Sequence, residues 1–126
     1  MKYLSKEQII NLHSIAIKKT GGIDGLRDNG LLESAINSPF QSFAGADLYP
    51  SIQAKAARLE YNIIEDHPFI DGNKRIGILA MMVFLEINGI ELKCTDEEII
   101  DLGLGTASGK YDTEYITQWI VNCSSR

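Results

Sequence analysis

Cysteine, proline, histidine and tryptophan are scarce in this chain, and it has neither a strongly basic stretch nor a long apolar run. The 126 residues include two cysteines, three prolines, two histidines and one tryptophan. Cys94 and Cys123 stand in no metal-ligand spacing, and His13 and His67 lie too far apart in the chain to complete a zinc site with them. Free, mostly buried thiols are expected instead, neither in a nucleophile setting. Lys and Arg number 12 against 17 Asp and Glu, a net charge of −5. With no basic stripe, direct binding of nucleic acid is not expected. The longest apolar run, Ile76 to Leu85, is about ten residues, roughly half of a bilayer span, so no membrane partner is expected. Met1 to Lys6 lead straight into an amphipathic pattern without the apolar core of a secretory signal, which makes the cytoplasm the expected compartment. No repeat, low-complexity segment or linker interrupts the chain. At 44% hydrophobic and 23% charged residues it reads as one globular domain, 1–126.

What is present is helical punctuation. Ser5-Lys6-Glu7-Gln8 is a capping box, and Ile9, Leu12 and Ala16 follow at helical spacing until Gly21-Gly22. A short helix is predicted from about Gly30 to Asn37, capped by Asp28 or Asn29 and stopped before Pro39. Pro50 or Ser51 opens a helix to Asp66 that carries Ile52, Ala56, Leu59 and Ile63 on one face. A central helix is predicted over about residues 73–88, with Gly89 as its stop. Thr95-Asp96-Glu97-Glu98 is a second capping box, and Asp112 caps a last helix with Tyr115, Trp119 and Ile120. No alternating run of strand length occurs. The expectation is an all-α, compact helical bundle of five to seven helices around the 73–88 helix. Residues 38–50 read as a loop. Its aromatics, Phe40, Phe43 and Tyr49, either pin it to the core or offer an extended partner a docking edge.

The chemistry concentrates between residues 67 and 75, His-Pro-Phe-Ile-Asp-Gly-Asn-Lys-Arg. This polar turn opens into the N-terminus of a buried helix, where free N–H groups and the helix dipole favour an anion. Lys74 and Arg75 are cations at the helix end that ordinarily repels them, an arrangement that makes sense when an anion binds there. Asp71 is a hard carboxylate suited to Mg²⁺ held against a phosphate. His67 can accept a proton from an attacking hydroxyl. Taken singly these are common turn and cap residues; together, at a helix start, they suggest transfer of a phosphate-containing group from a nucleotide. His13 reads as a packed or surface histidine. Arg27 and Glu33 could reach the site, and equally could be surface charges beside a cap.

The nonapeptide resembles the signature of the Fic/Doc superfamily, roughly H-x-F-x-[D/E]-[G/A]-N-[G/K]-R, and matches it at every position. Lys74 stands where AMP-transferring Fic proteins usually have Gly, and Ile78 stands where they carry a second Arg. Both features are those of the Doc branch. Upstream, Gly25-Leu26-Arg27-Asp28-Asn29-Gly30-Leu31-Leu32-Glu33-Ser34-Ala35 is similar to a segment of Doc-like toxins, and Phe43, Gly45 and Tyr49-Pro50 fit the loop that follows.

The resemblance implies a single Fic/Doc-like domain and a toxin of a toxin–antitoxin pair. The implied activity is transfer of the γ-phosphate of ATP to a protein hydroxyl, with Thr the expected acceptor, on an elongation factor of the Tu type. Translation would be inhibited in consequence. His67 would be the catalytic base and Asp71 the Mg²⁺ ligand, while Gly72, Asn73, Lys74 and Arg75 cradle the nucleotide, partly through backbone N–H groups. Phe69 would anchor the loop in the core and Pro68 stiffen it. No self-inhibitory [S/T]-x-x-x-E-[G/N] segment is found, so inhibition would fall to a separate antitoxin with a disordered tail. The alternatives are AMP transfer to a protein hydroxyl and an inactive binding domain of the same fold.

Overall fold

A computed structural model describes residues 1–126. Six α-helices dominate it: α1 (Lys6–Thr20), α2 (Asn29–Asn37), α3 (Ile52–Asp66), α4 (Asn73–Ile87), α5 (Asp96–Ala107) and α6 (Thr113–Ser124). The all-α expectation holds. A 3₁₀ turn, Ser38–Phe40, continues α2, and residues 38–50 then make a minimal antiparallel hairpin, β1 (Ser42–Phe43) with β2 (Ala46–Asp47). Its tip, Ala44-Gly45, has positive φ at both residues, the twist a two-residue hairpin loop requires.

The helices start where their side chains can cap them. Ser5 and Thr95 form full capping boxes with Gln8 and Glu98, and Asp28, Ser51 and Asp112 each accept an N–H from the first turn of their helix. α4 is the exception: its N-cap is Gly72, with no side-chain cap.

The centre of the molecule is the pair α3 and α4. α3 packs against α4, α6, α2 and α5, while α4 also touches α1 and α5. Ile9, Leu32, Leu59, Ile63, Phe69, Ile76, Ala80, Phe84, Leu102, Ile116 and Ile120 join in one continuous core. Cys123 is buried, Cys94 half-buried, and both are free thiols. No helix is long and apolar enough to cross a membrane.

The aromatics of the 38–50 loop divide. Phe40 packs on the core between Tyr3 and Phe84, at ring-centroid distances of 4.8 and 6.2 Å. Phe43, in the hairpin, is 76% exposed. Two cations of α3 hold the segment down. Buried Lys55 reaches Asp47 at 3.2 Å and the carbonyl of Tyr49, and Arg58 donates to Ser38 Oγ at 3.1 Å and lies over the Tyr49 ring.

Candidate active site

The turn between α3 and α4 carries the 67–75 nonapeptide. His67 is the C-cap of α3, with φ 51° and ψ 57°, a left-handed conformation that costs an L-residue about 1–2 kcal/mol. The side chain is exposed. Its Nδ1 lies 3.1 Å from the Glu65 carbonyl. A carbonyl only accepts, so Nδ1 carries the hydrogen, and in the neutral ring Nε2 keeps its lone pair for an incoming proton.

The turn is tied to the segment before α2. Pro68 O accepts N–H bonds from Arg27 and Asp28 at 2.8 and 3.0 Å, and Ile70 N–H donates to Gly25 O at 3.0 Å. The Arg27 side chain spans the end of α3, giving Nε–H to His67 O at 2.6 Å and Nη2–H to Asp66 O at 2.9 Å. A cation there also suits the negative end of the helix dipole. Arg27 therefore holds the backbone of His67. Glu33 does not enter the site; it pairs at the surface with Lys6 at 3.0 Å and accepts from Asn29.

Phe69 is buried, as expected of an anchor, and stacks on His13 with ring centroids 3.9 Å apart. Asn73 is buried beside it. Its Oδ1 accepts from Phe69 N–H and its Nδ2 donates to Phe69 O, both at 3.0 Å. The side-chain amide is thus spent on closing the turn, and what Asn73 can offer a ligand is its backbone N–H.

Asp71 holds the outer edge. Oδ1 accepts from Gly72 N–H at 2.8 Å and Oδ2 from Ile23 N–H at 3.1 Å. These bonds hold its carboxyl below the usual carboxylate range, and Arg75 and His13 add to the effect. Gly22 is required for this contact, since a Cβ there would stand 2.7 Å from Oδ2 and the residue has φ +114°. Gly72 is required as well: at φ +75° a Cβ would press on Ile17 at 3.2 Å.

At the start of α4 the N–H groups of Asn73, Lys74 and Arg75 have no acceptor, and the first turn holds no acidic residue. Lys74 and Arg75 are exposed and in no ion pair. Residues Asp71 to Arg75 line a concavity of about 300 Å³. His67 stands outside its lining, across the turn. Three orphan donors, two cations outside any ion pair and a helix N-terminus are groups able to receive a phosphate, although Arg75 Nη1–H already reaches Gly21 O at 3.5 Å. No cluster of three or more His, Cys, Asp or Glu exists that could hold a metal alone. Asp71 fits Mg²⁺ in the manner of nucleotide sites, as one carboxylate completed by phosphate oxygens and water, because each of its oxygens accepts only one N–H and retains lone-pair capacity.

Residues 3–85 match the model of the Fic/DOC family. The chain belongs to that family. It is 40% identical over 91 residues to Toxin Doc of Mycolicibacterium smegmatis, covering 72% of this chain and 68% of the relative. It is 30% identical over 110 residues to Protein kinase doc of Escherichia phage P1, covering 87% and 86%. Within the family the likeness is therefore to Doc proteins, as Lys74 and Ile78 had suggested. His13 and the holding role of Arg27 were not evident from the sequence. The place of His13 beneath the turn and the bonds of Arg27 to the end of α3 emerge only from contacts between distant parts of the chain.

Proposed function

We propose that this chain is a Doc-type toxin that transfers the γ-phosphate of ATP to a hydroxyl of a protein, with Thr the expected acceptor. The expected target class is a translation elongation factor of the Tu type, whose modification in the cytoplasm would inhibit translation. A separate antitoxin with a disordered tail that folds on binding would silence it. The observation that carries this reading is the pairing of His67, whose Nε2 is free to accept a proton, with the uncapped and cationic start of α4.

In the proposed reaction His67 Nε2 takes the proton of the target hydroxyl as its oxygen attacks the γ-phosphorus. The bond from that phosphorus to the β–γ bridging oxygen breaks, and ADP leaves with the electron pair. The backbone N–H groups of Asn73 to Arg75 and the cations of Lys74 and Arg75 hold the phosphate oxygens where negative charge is carried. Mg²⁺, when bound through Asp71, would supply further neutralisation of the phosphates. The two relatives named Toxin Doc and Protein kinase doc support the assignment.

Transfer from ATP labelled at the γ- or the α-phosphate tests it. Label should pass to protein from γ-labelled ATP only. Transfer from the α-label would assign AMP transfer instead, and no transfer from either would leave a binding domain.

A further inference from the structure

Away from the 67–75 turn, the segment that leads into α5 is clamped to the end of α6. Lys93 N–H donates to Cys123 O at 3.0 Å. Arg126 Nη1–H donates to Lys93 O at 3.1 Å, and Lys93 Nζ donates to Arg126 O at 2.9 Å. The Arg126 guanidinium also forks onto Glu98, at 2.6 and 2.5 Å to its two carboxylate oxygens. These bonds lock residues 93–98 against 123–126. The two cysteines of the chain lie inside the clamp, although α5 and most of α6 separate them in sequence. Cys94 is half-buried and Cys123 buried, and each thiol acts on the ionisation of the other as a hydrogen-bonding neighbour.

A thiol that only fills space is set among aliphatic side chains. This pair instead borders a charged cluster. Cys123 lines a surface concavity of about 160 Å³ together with Glu98, Trp119 and Arg126, room enough for a peroxide to reach the sulfur. We propose that Cys94 and Cys123 form a redox modification site, where a peroxide closes a disulfide that staples the start of α5 to the end of α6. The pair shares no residue with the 67–75 turn, so this inference is independent of the proposed function.

The chemistry runs in two steps. The thiolate of Cys94, the more exposed of the two, attacks a peroxide oxygen. The O–O bond breaks, and hydroxide leaves as water with the proton the thiol gave up, so Cys94 becomes a sulfenic acid. The Cys123 thiolate then attacks that sulfur. The S–S bond forms, the S–O bond breaks, and a second water leaves with the second proton. The two sulfurs lose two electrons and the peroxide gains them. Burial raises both thiols above their ordinary range, so thiolate is scarce at neutral pH and closure is slow. A reducing thiol pool keeps such a pair open, and sustained oxidation closes it.

The test is intact-mass spectrometry after hydrogen peroxide, with alkylation under denaturing conditions, beside thermal unfolding. The reduced protein should take up two alkyl groups. The oxidised protein should take up none, stay monomeric, and weigh about 2 Da less than the unalkylated reduced chain, the mass of two hydrogens. Its Tm should be about 5–10 °C higher, because the bridge closes a loop that contains all of α5, and dithiothreitol should reverse both changes. Cys94→Ser, at a half-buried position, should fold normally, gain oxygen on Cys123 or form dimers, and show no rise in Tm. A wild type that gains oxygen or dimerises instead of losing 2 Da overturns the pairing. An oxidised form no more stable than the reduced one overturns the staple.

Discussion

His13 Nε2 lies 2.7 Å from the main-chain carbonyl of Asp71. The two residues are 58 positions apart, and the bond is made by a side chain only 1% exposed. His13 supports the turn from beneath, with its ring on Phe69 and its Nε2–H on the residue that carries the expected metal ligand. Its other nitrogen has no hydrogen-bond partner and faces Asp24 Oδ1 at 3.4 Å.

This predicts separable effects at one position. His13→Phe keeps the stacked ring and removes the donor, so the part-buried bond to the Asp71 carbonyl is lost at a cost of about 1 kcal/mol. His13→Gln restores an N–H at similar reach. The Phe variant should unfold at lower urea and bind ATP with Mg²⁺ more weakly, and the Gln variant should recover both. Equal nucleotide affinity in all three proteins would reduce His13 to a core filler.

His67 should prove to be held in place at the expense of stability. Its left-handed backbone penalises any residue with a Cβ. His67→Ala keeps that penalty and His67→Gly removes it, so the Gly variant should be more stable than the Ala variant by about 1 kcal/mol. Both should lose about 10²–10⁴ in transfer rate, the usual contribution of a general base. Denaturant unfolding and labelled-phosphate transfer read the two effects separately. A Gly variant less stable than Ala would contradict the backbone argument, and one that still transfers would remove His67 from the chemistry.

The boundaries of the fold were legible because capping boxes and periodic apolar faces are local signals: Ser5, Ser51, Thr95 and Asp112 each open a helix as read. The nonapeptide likewise announced the turn, since its residue types and spacing are contiguous. What could not be read were bonds from a side chain to a distant backbone, such as His13 to Asp71 or Arg27 to His67, because a hydrogen bond across 58 or 40 positions leaves no periodic trace. Asn73 shows the same limit in another form. Residue type placed it in the anion cradle, and only its geometry reveals that the amide faces inward to Phe69.

Glu60, away from the 67–75 turn, gives the fold a pH dependence of its own. Its carboxyl is fully buried between α3 and α5, with Thr106 Oγ at 3.1 Å from Oε2 and no partner for Oε1. Burial pushes it up to about 8, from 4.5. The folded state therefore keeps a proton that the unfolded chain releases, so stability is greatest below about pH 4.5 for this group and falls as pH rises to about 8. The slope is at most about 1.4 kcal/mol per pH unit. Glu60→Gln should flatten urea-unfolding stability between pH 5 and 8 and be the more stable protein at pH 8. A wild type with no loss of stability over that range would show that the buried carboxyl ionises freely.

The hairpin supplies the last test, because Phe40 and Phe43 sit three residues apart in opposite settings. Phe40 packs on Tyr3 and Phe84, so its truncation to Ala removes core contacts and should cost up to about 3 kcal/mol, with ATP binding and target modification falling together. Phe43 projects from a two-stranded edge that Lys55 and Arg58 fasten to α3, and it touches little of its own chain. Phe43→Ala should change stability by less than about 0.5 kcal/mol. An exposed aromatic on a fixed edge is the kind of group that an extended segment of another protein covers. The Phe43 variant should therefore modify its protein target at least tenfold more slowly at unchanged ATP affinity, an effect of about 1.4 kcal/mol and within the worth of one buried ring. Full target modification by Phe43→Ala would show that the hairpin takes no part in holding the target, while the assignments from His67 to Arg75 would stand.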